Sequence, residues 1–176
     1  MYHEYSPKTA WSPEDNMQLR SAINECLQDS TDCFKGPRGP IGSWDIYEVI
    51  GMKELFIEEE TATTDPKPIP GADKFNGDVS KWDVLNVINM KSMFQYASSF
   101  NADLSKWDVS SVTNMYNMFR RATMFNADLS KWDVSSVTDM GLIFNEAVSF
   151  NADLSKWDVS RVIDMDSMIG EVKRFN

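Results

Sequence analysis

Any chemistry in this chain has to come from carboxylates. Asp78, Asp103, Asp128 and Asp153 recur at one fixed spacing, and Asp83, Asp108, Asp133 and Asp158 follow them five residues on. Paired carboxylates can work as general acid and base, and aspartate rows can supply some of the six to eight oxygens Ca²⁺ takes. Neither reading fits the pattern well. The pairs recur identically, whereas a catalytic pair needs one repeat to differ, and no EF-hand or nine-residue calcium motif is present. The simpler account is local: each carboxylate accepts hydrogen bonds from backbone N–H groups or serine hydroxyls at turns. Lys81, Lys106, Lys131 and Lys156 then help offset the like-charge repulsion within a column.

Other reactive groups are scarce. His3 is the single histidine, which excludes a histidine-based triad or a multi-histidine zinc site. Cys26 and Cys33 lack a second C-x-x-C partner set, and no G-x-G-x-x-G or phosphate-binding loop occurs. The expectation is therefore a protein that is not an enzyme, with no catalytic residue, cofactor or metal. Twenty-seven acidic against seventeen basic residues give a net charge of -10, which disfavours nucleic acid and anionic membrane surfaces. No apolar run approaches the ~20 residues of a transmembrane segment. The first residues lack the basic start and apolar core of a signal peptide. The two cysteines, seven apart, either bridge, if their Cα atoms lie within about 7 Å, or remain thiols.

The elements that position these groups follow from a period. Trp82, Trp107, Trp132 and Trp157 stand 25 residues apart, as do Phe75, Phe100, Phe125, Phe150 and Phe175, each followed by Asn. A fixed period of this length marks stacked coils, none of which buries its apolar face alone. Asp103–Lys106 reads as a short strand bounded by turn formers. Val112, Met115, Met118, Phe119 and Ala122 keep helical spacing after Ser110 and Ser111. The predicted fold is an α/β solenoid of leucine-rich-repeat-like coils, each one short parallel strand plus one short helix. Residues 1–36 form an arm and a capping helix that starts from an N-cap at Ser12, with Leu19, Ala22, Ile23, Cys26 and Leu27 on its apolar face. Residues 37–176 form the solenoid. Its first coil carries an insertion at 57–74, and regular coils start at 75, 100, 125 and 150. The Asn row (Asn76, Asn101, Asn126, Asn151) and the Trp row read as structural ladders, the first satisfying backbone groups at coil corners and the second filling the core.

The pattern F-N-x-D-L-S-x-W-D-V-S-x-V-T-x-M-x-x-M-F resembles the BspA-type leucine-rich repeat surface-protein family. The resemblance spans residues 37–176 and is tightest over the four regular coils. It implies a protein-binding or cell-surface role and no catalytic activity.

Variation between coils points to where binding would occur. The Trp half of the coil is nearly constant, whereas the Met-Phe half changes, with Tyr96, Tyr116, Arg120 and Arg121 as the best anchors. The insertion, with Glu58, Glu59, Glu60, Pro66, Pro68 and Pro70, reads as an interaction arm. Past Trp157 the last coil is degraded, Ile169 standing where Phe119 stood. Its edge is expected to face outward as an association site within a larger complex. The leading function is a protein–protein interaction scaffold, in a surface protein or as a peripheral subunit of an assembly. The alternative is an adhesin-like binder of a repetitive glycan, mineral or ice surface through its concave strand face, the helical side being convex.

Overall fold

The computed structural model describes residues 10–57 and 69–172. Helix α1 (Asn16–Asp29) opens the fold. Asp15, rather than Ser12, is its N-cap, because the Asp15 carboxylate accepts the Gln18 N–H at 2.8 Å and satisfies an otherwise orphan donor. The helix buries Leu19, Ala22, Ile23, Cys26 and Leu27. Cys26 and Cys33 are joined by a disulfide, with Cα atoms 5.2 Å apart. It closes the exit of the helix onto the first coil.

Residues from Ile41 onward wind into stacked coils, but not into the α/β solenoid of strands and helices expected from the sequence. Among the described residues α1 is the only α-helix, strand pairing is reduced to isolated parallel bridges, and no sheet forms. The bridges run Gly51 to Asn89 to Asn114 to Asp139 to Asp164. The segment read as a strand, Asp103–Lys106, is a turn in which Trp107 N–H donates to the Leu104 carbonyl. The segment read as a helix, Val112–Ala122, is a run of tight turns. Its N–H groups alternate in direction. Met93, Gln95 and Ala97 donate three residues back, to Met90, Ser92 and Phe94, whereas Met90, Ser92, Phe94 and Tyr96 donate to the next coil, to the carbonyls of Asn114, Tyr116, Met118 and Arg120.

That alternation requires left-handed backbone at two positions per coil. One column is Glu54, Ser92, Asn117, Leu142 and Ser167, with φ between 47° and 59°; the other is Gly71, Tyr96, Arg121, Glu146 and Glu171, with φ between 59° and 84°. A non-glycine residue there costs about 1–2 kcal/mol. Through the fourth coil each such non-glycine residue also gives its N–H to the coil that follows. The same register explains the insertion. Phe56 matches Phe94, Ala72 matches Ala97, and Gly71 holds the left-handed place of Tyr96, so residues 58–70 are the additional ones. Ile69 N–H donates to the Ile57 carbonyl at 2.9 Å and closes the base of the excursion.

Aromatic columns fill the interior. Phe94 stacks on Phe100 at 3.8 Å within a coil, and Phe119–Phe125 and Phe144–Phe150 repeat the pair. Between coils, ring centres step by 5.7 Å in the Phe94–Phe119–Phe144 column, by 5.9–6.0 Å in the Phe75–Phe100–Phe125–Phe150 column and by 6.4–6.5 Å in the Trp column. Under one repeated screw operation, points farther from the axis move farther. The Trp side is therefore outer and the hydrogen-bonded ladder inner. The indoles of Trp82, Trp107, Trp132 and Trp157 are 3–8% exposed, and each donates Nε1–H to a carbonyl of the preceding coil at 2.9–3.1 Å.

Two stability changes follow. Leu142→Gly relieves left-handed strain and should raise the melting temperature, whereas β-branched Leu142→Val should lower it, each by a few degrees for roughly 1 kcal/mol. Thermal unfolding of the two variants checks this. Reducing the Cys26–Cys33 disulfide should cost about 2–3 kcal/mol, read as a lower midpoint in calorimetry with reductant.

Candidate interaction surface

Two polar faces flank the core, and their placement reverses the concave and convex sides expected from a strand-and-helix coil. The inner face carries the ladder and the variable side chains. Here Tyr96, Arg121 and Glu146 occupy one column across three coils. The Arg121 guanidinium lies over the Tyr96 ring at 5.2 Å and its Nε–H donates to Glu146 at 2.9 Å. Arg120 reaches the same Glu146 carboxylate at 3.9 Å and Asn145 Oδ1 at 3.4 Å. Lys91 sits over the Tyr116 ring at 5.1 Å. Tyr96, Arg120 and Arg121 are thus brought together through Glu146, whereas Tyr116 pairs with Lys91; all four are half-exposed. Lys91 and Glu146 belong to the same face and were not singled out in the sequence. Adding 25 to each position places Glu146 beneath Arg121, and that signal was available.

The insertion residues Glu58, Glu59, Glu60, Pro66 and Pro68, like His3, lie outside the described residues. Pro70 is exposed at the foot of the excursion, beside Gly71 and the short 3-10 turn Ala72–Lys74.

The outer face carries the aspartate columns, and geometry explains them locally. Asp78, Asp103, Asp128 and Asp153 accept the N–H of the serine two residues on at 2.9–3.0 Å. Asp83, Asp108, Asp133 and Asp158 likewise accept the N–H two residues on, of Leu85, Ser110, Ser135 and Ser160, at 3.0–3.2 Å. A third set on the inner face, Asn89, Asn114, Asp139 and Asp164, holds the entry to each ladder segment in the same way. Asn76, Asn101 and Asn126 use their Oδ1 atoms to accept the N–H of Asn101, Asn126 and Asn151 one coil on. Among the described residues no group of three or more His, Cys, Asp or Glu is arranged to hold a metal ion, and no helix is long and apolar enough to cross a membrane. A groove of about 440 Å³ between cap and first coil is lined by Asp32, Cys33, Phe34, Ile41, Asp78 and Lys81. Its one sulfur, that of Cys33, is held in the disulfide.

The turns also set an acid limit. The serine hydroxyl and then its N–H hold the carboxyls of Asp78, Asp103, Asp128, Asp133 and Asp158 below the ordinary value; at Asp153 the N–H comes first and the hydroxyl second. A folded value below the unfolded one stabilises the fold above the unfolded value, and that stabilisation is lost as pH falls through the lowered folded value. The melting temperature should therefore be flat down to about pH 5 and fall below about pH 4. Asp103→Asn keeps the turn acceptor without a titrating group. It should lose part of this acid sensitivity, whereas Asp103→Ala should destabilise at every pH.

No curated protein and no solved structure matches the chain. One family model does, over residues 28–128 and again over 67–176, described as Mycoplasma protein of unknown function, DUF285. The two matches together span the cap's end and every coil, and the chain belongs to the DUF285 family.

Proposed function

We propose that this chain is a non-enzymatic protein–protein interaction module. It would serve as a scaffold unit in a surface protein of the BspA-like kind or as a peripheral subunit of a larger assembly, with its contacts on the inner face. The observation that carries this reading is side-chain diversity on an invariant frame. The ladder hydrogen bonds repeat coil after coil, while the residues displayed on it change from Lys91 to Tyr116 to Gly141, and from Tyr96 to Arg121 to Glu146. An irregular protein surface is met by such diversity, and Tyr and Arg are the usual anchors of a binding hot spot. The cross-coil contacts of Arg121 and Glu146 also hold these side chains in place before binding, which lowers the ordering cost.

A second reading rests on the opposite property of the outer face. There Asp, Ser and Lys repeat identically beside a Trp column that steps by 6.4–6.5 Å, which suits a glycan, mineral or ice lattice.

Two variants separate the readings. Tyr96→Ala/Tyr116→Ala/Arg120→Ala should abolish copurification of a partner protein, at roughly 10-fold or more per anchor. Lys106→Ala/Lys131→Ala should leave it intact. Loss of retention on a glycan or mineral matrix in the lysine variant, with the Tyr/Arg variant unaffected, would overturn the proposal in favour of the lattice reading.

A further inference from the structure

The ladder is polar, and its two ends are not equivalent. The second, third and fourth coils each give four N–H groups to the coil after, and fewer backbone bonds return, as when Thr113 N–H donates to the Ile88 carbonyl. The first coil therefore presents the carbonyls of Gly51, Lys53, Leu55 and Ile57 at its free edge, and among the described residues donors reach Lys53, Ile57 and the adjoining Glu54. Asn16 and Arg20, one turn apart on α1, donate to the Lys53 and Glu54 carbonyls, and Ile69 N–H takes the Ile57 carbonyl. The last described coil presents the opposite edge. The N–H groups of Met165, Ser167, Ile169 and Glu171 have no acceptor among the described residues, although Ser167 and Glu171 already hold φ of 47° and 62°. The edge is preset for pairing and unpaired.

The surrounding surface is cut the same way. Ile163, Met165 and Ile169 are 88%, 43% and 40% exposed. Leu154, Val159 and Val162 are only partly buried, whereas Leu129, Val134 and Val137 one coil earlier are 0–1% exposed. The carbonyls of Val79, Leu104 and Leu129 each accept a Trp indole from the following coil. Among the described residues the Leu154 carbonyl accepts only its own coil's Trp157 N–H.

We infer that this edge takes a further coil of the same 25-residue kind, docked by its carbonyl edge and bringing one Trp indole to Leu154. Donor complementarity selects that occupant. Two copies meeting edge to edge would set N–H against N–H. A copy arriving head to tail would meet α1, which lies against its carbonyl edge at Lys53 and Glu54. The inference is independent of which face the proposed function uses.

A synthetic peptide with the sequence of residues 127–147 tests it against the full 176-residue chain. Saturable 1:1 binding is expected, with amide exchange at Met165, Ser167, Ile169 and Glu171 slowed by at least about tenfold. The same peptide carrying Trp132→Ala should bind at least about tenfold more weakly, losing an indole and its hydrogen bond. A scrambled peptide should not bind. No protection at those four amides, protection on the outer face instead, or equal binding by the scrambled peptide would overturn the inference. So would a peptide-free dimer that protects the same four amides.

Discussion

The structure depends on hydrogen bonds that a coil cannot satisfy alone. In the Met-Phe half of each repeat, alternate N–H groups point along the stack, and their acceptors are carbonyls 24 residues further along the chain. Placing them there forces Ser92, Tyr96, Asn117, Arg121, Leu142 and Glu146 into left-handed backbone. The strain, about 1–2 kcal/mol per residue, is as large as the net worth of the hydrogen bond it permits, about 1 kcal/mol. The ladder therefore does not hold the stack together by itself. It fixes the register, and the stacked Phe and Trp columns, almost wholly buried, supply the surplus. A one-residue slip would lose both together, which is why the period is held at 25 through four successive Trp residues.

Every polar device around that frame satisfies a local donor or acceptor. The aspartates cap turns, the asparagines pass one hydrogen bond to the next coil, and the indoles reach back to the coil before. Helix α1 ends the carbonyl side of the ladder with Asn16 and Arg20, and the disulfide ties its C-terminal end to the coil it covers. What varies is side-chain identity on the inner face, which is the physical basis for reading the fold as a display frame.

Much of this was legible in the sequence. The period gave the stacking and the aromatic columns; i, i+3, i+4 spacing gave the buried face of α1; Asp-x-Ser gave the turn acceptors. The half-coil 112–122 was misread because Val112, Met115, Met118, Phe119 and Ala122 fit a helix face and a run of three-residue turns equally well. The deciding signal is usually glycine at positive φ, and here Ser92, Tyr96 and Leu142 stand in those places, held by the neighbouring coil rather than by local preference. With the ladder moved to that half, the inner and outer faces exchanged. The Tyr96–Arg121–Glu146 column shows in the sequence only along the stack, at a spacing of 25, and not in any one coil.

The central claim is the ladder itself, and through-hydrogen-bond scalar couplings observe it directly. In isotope-labelled protein, couplings are predicted from the amide nitrogens of Ser92, Asn117 and Leu142 to the carbonyl carbons of Tyr116, Gly141 and Asp166. Couplings from those same nitrogens to carbonyls four residues back in their own coil, as an α-helix requires, would contradict it.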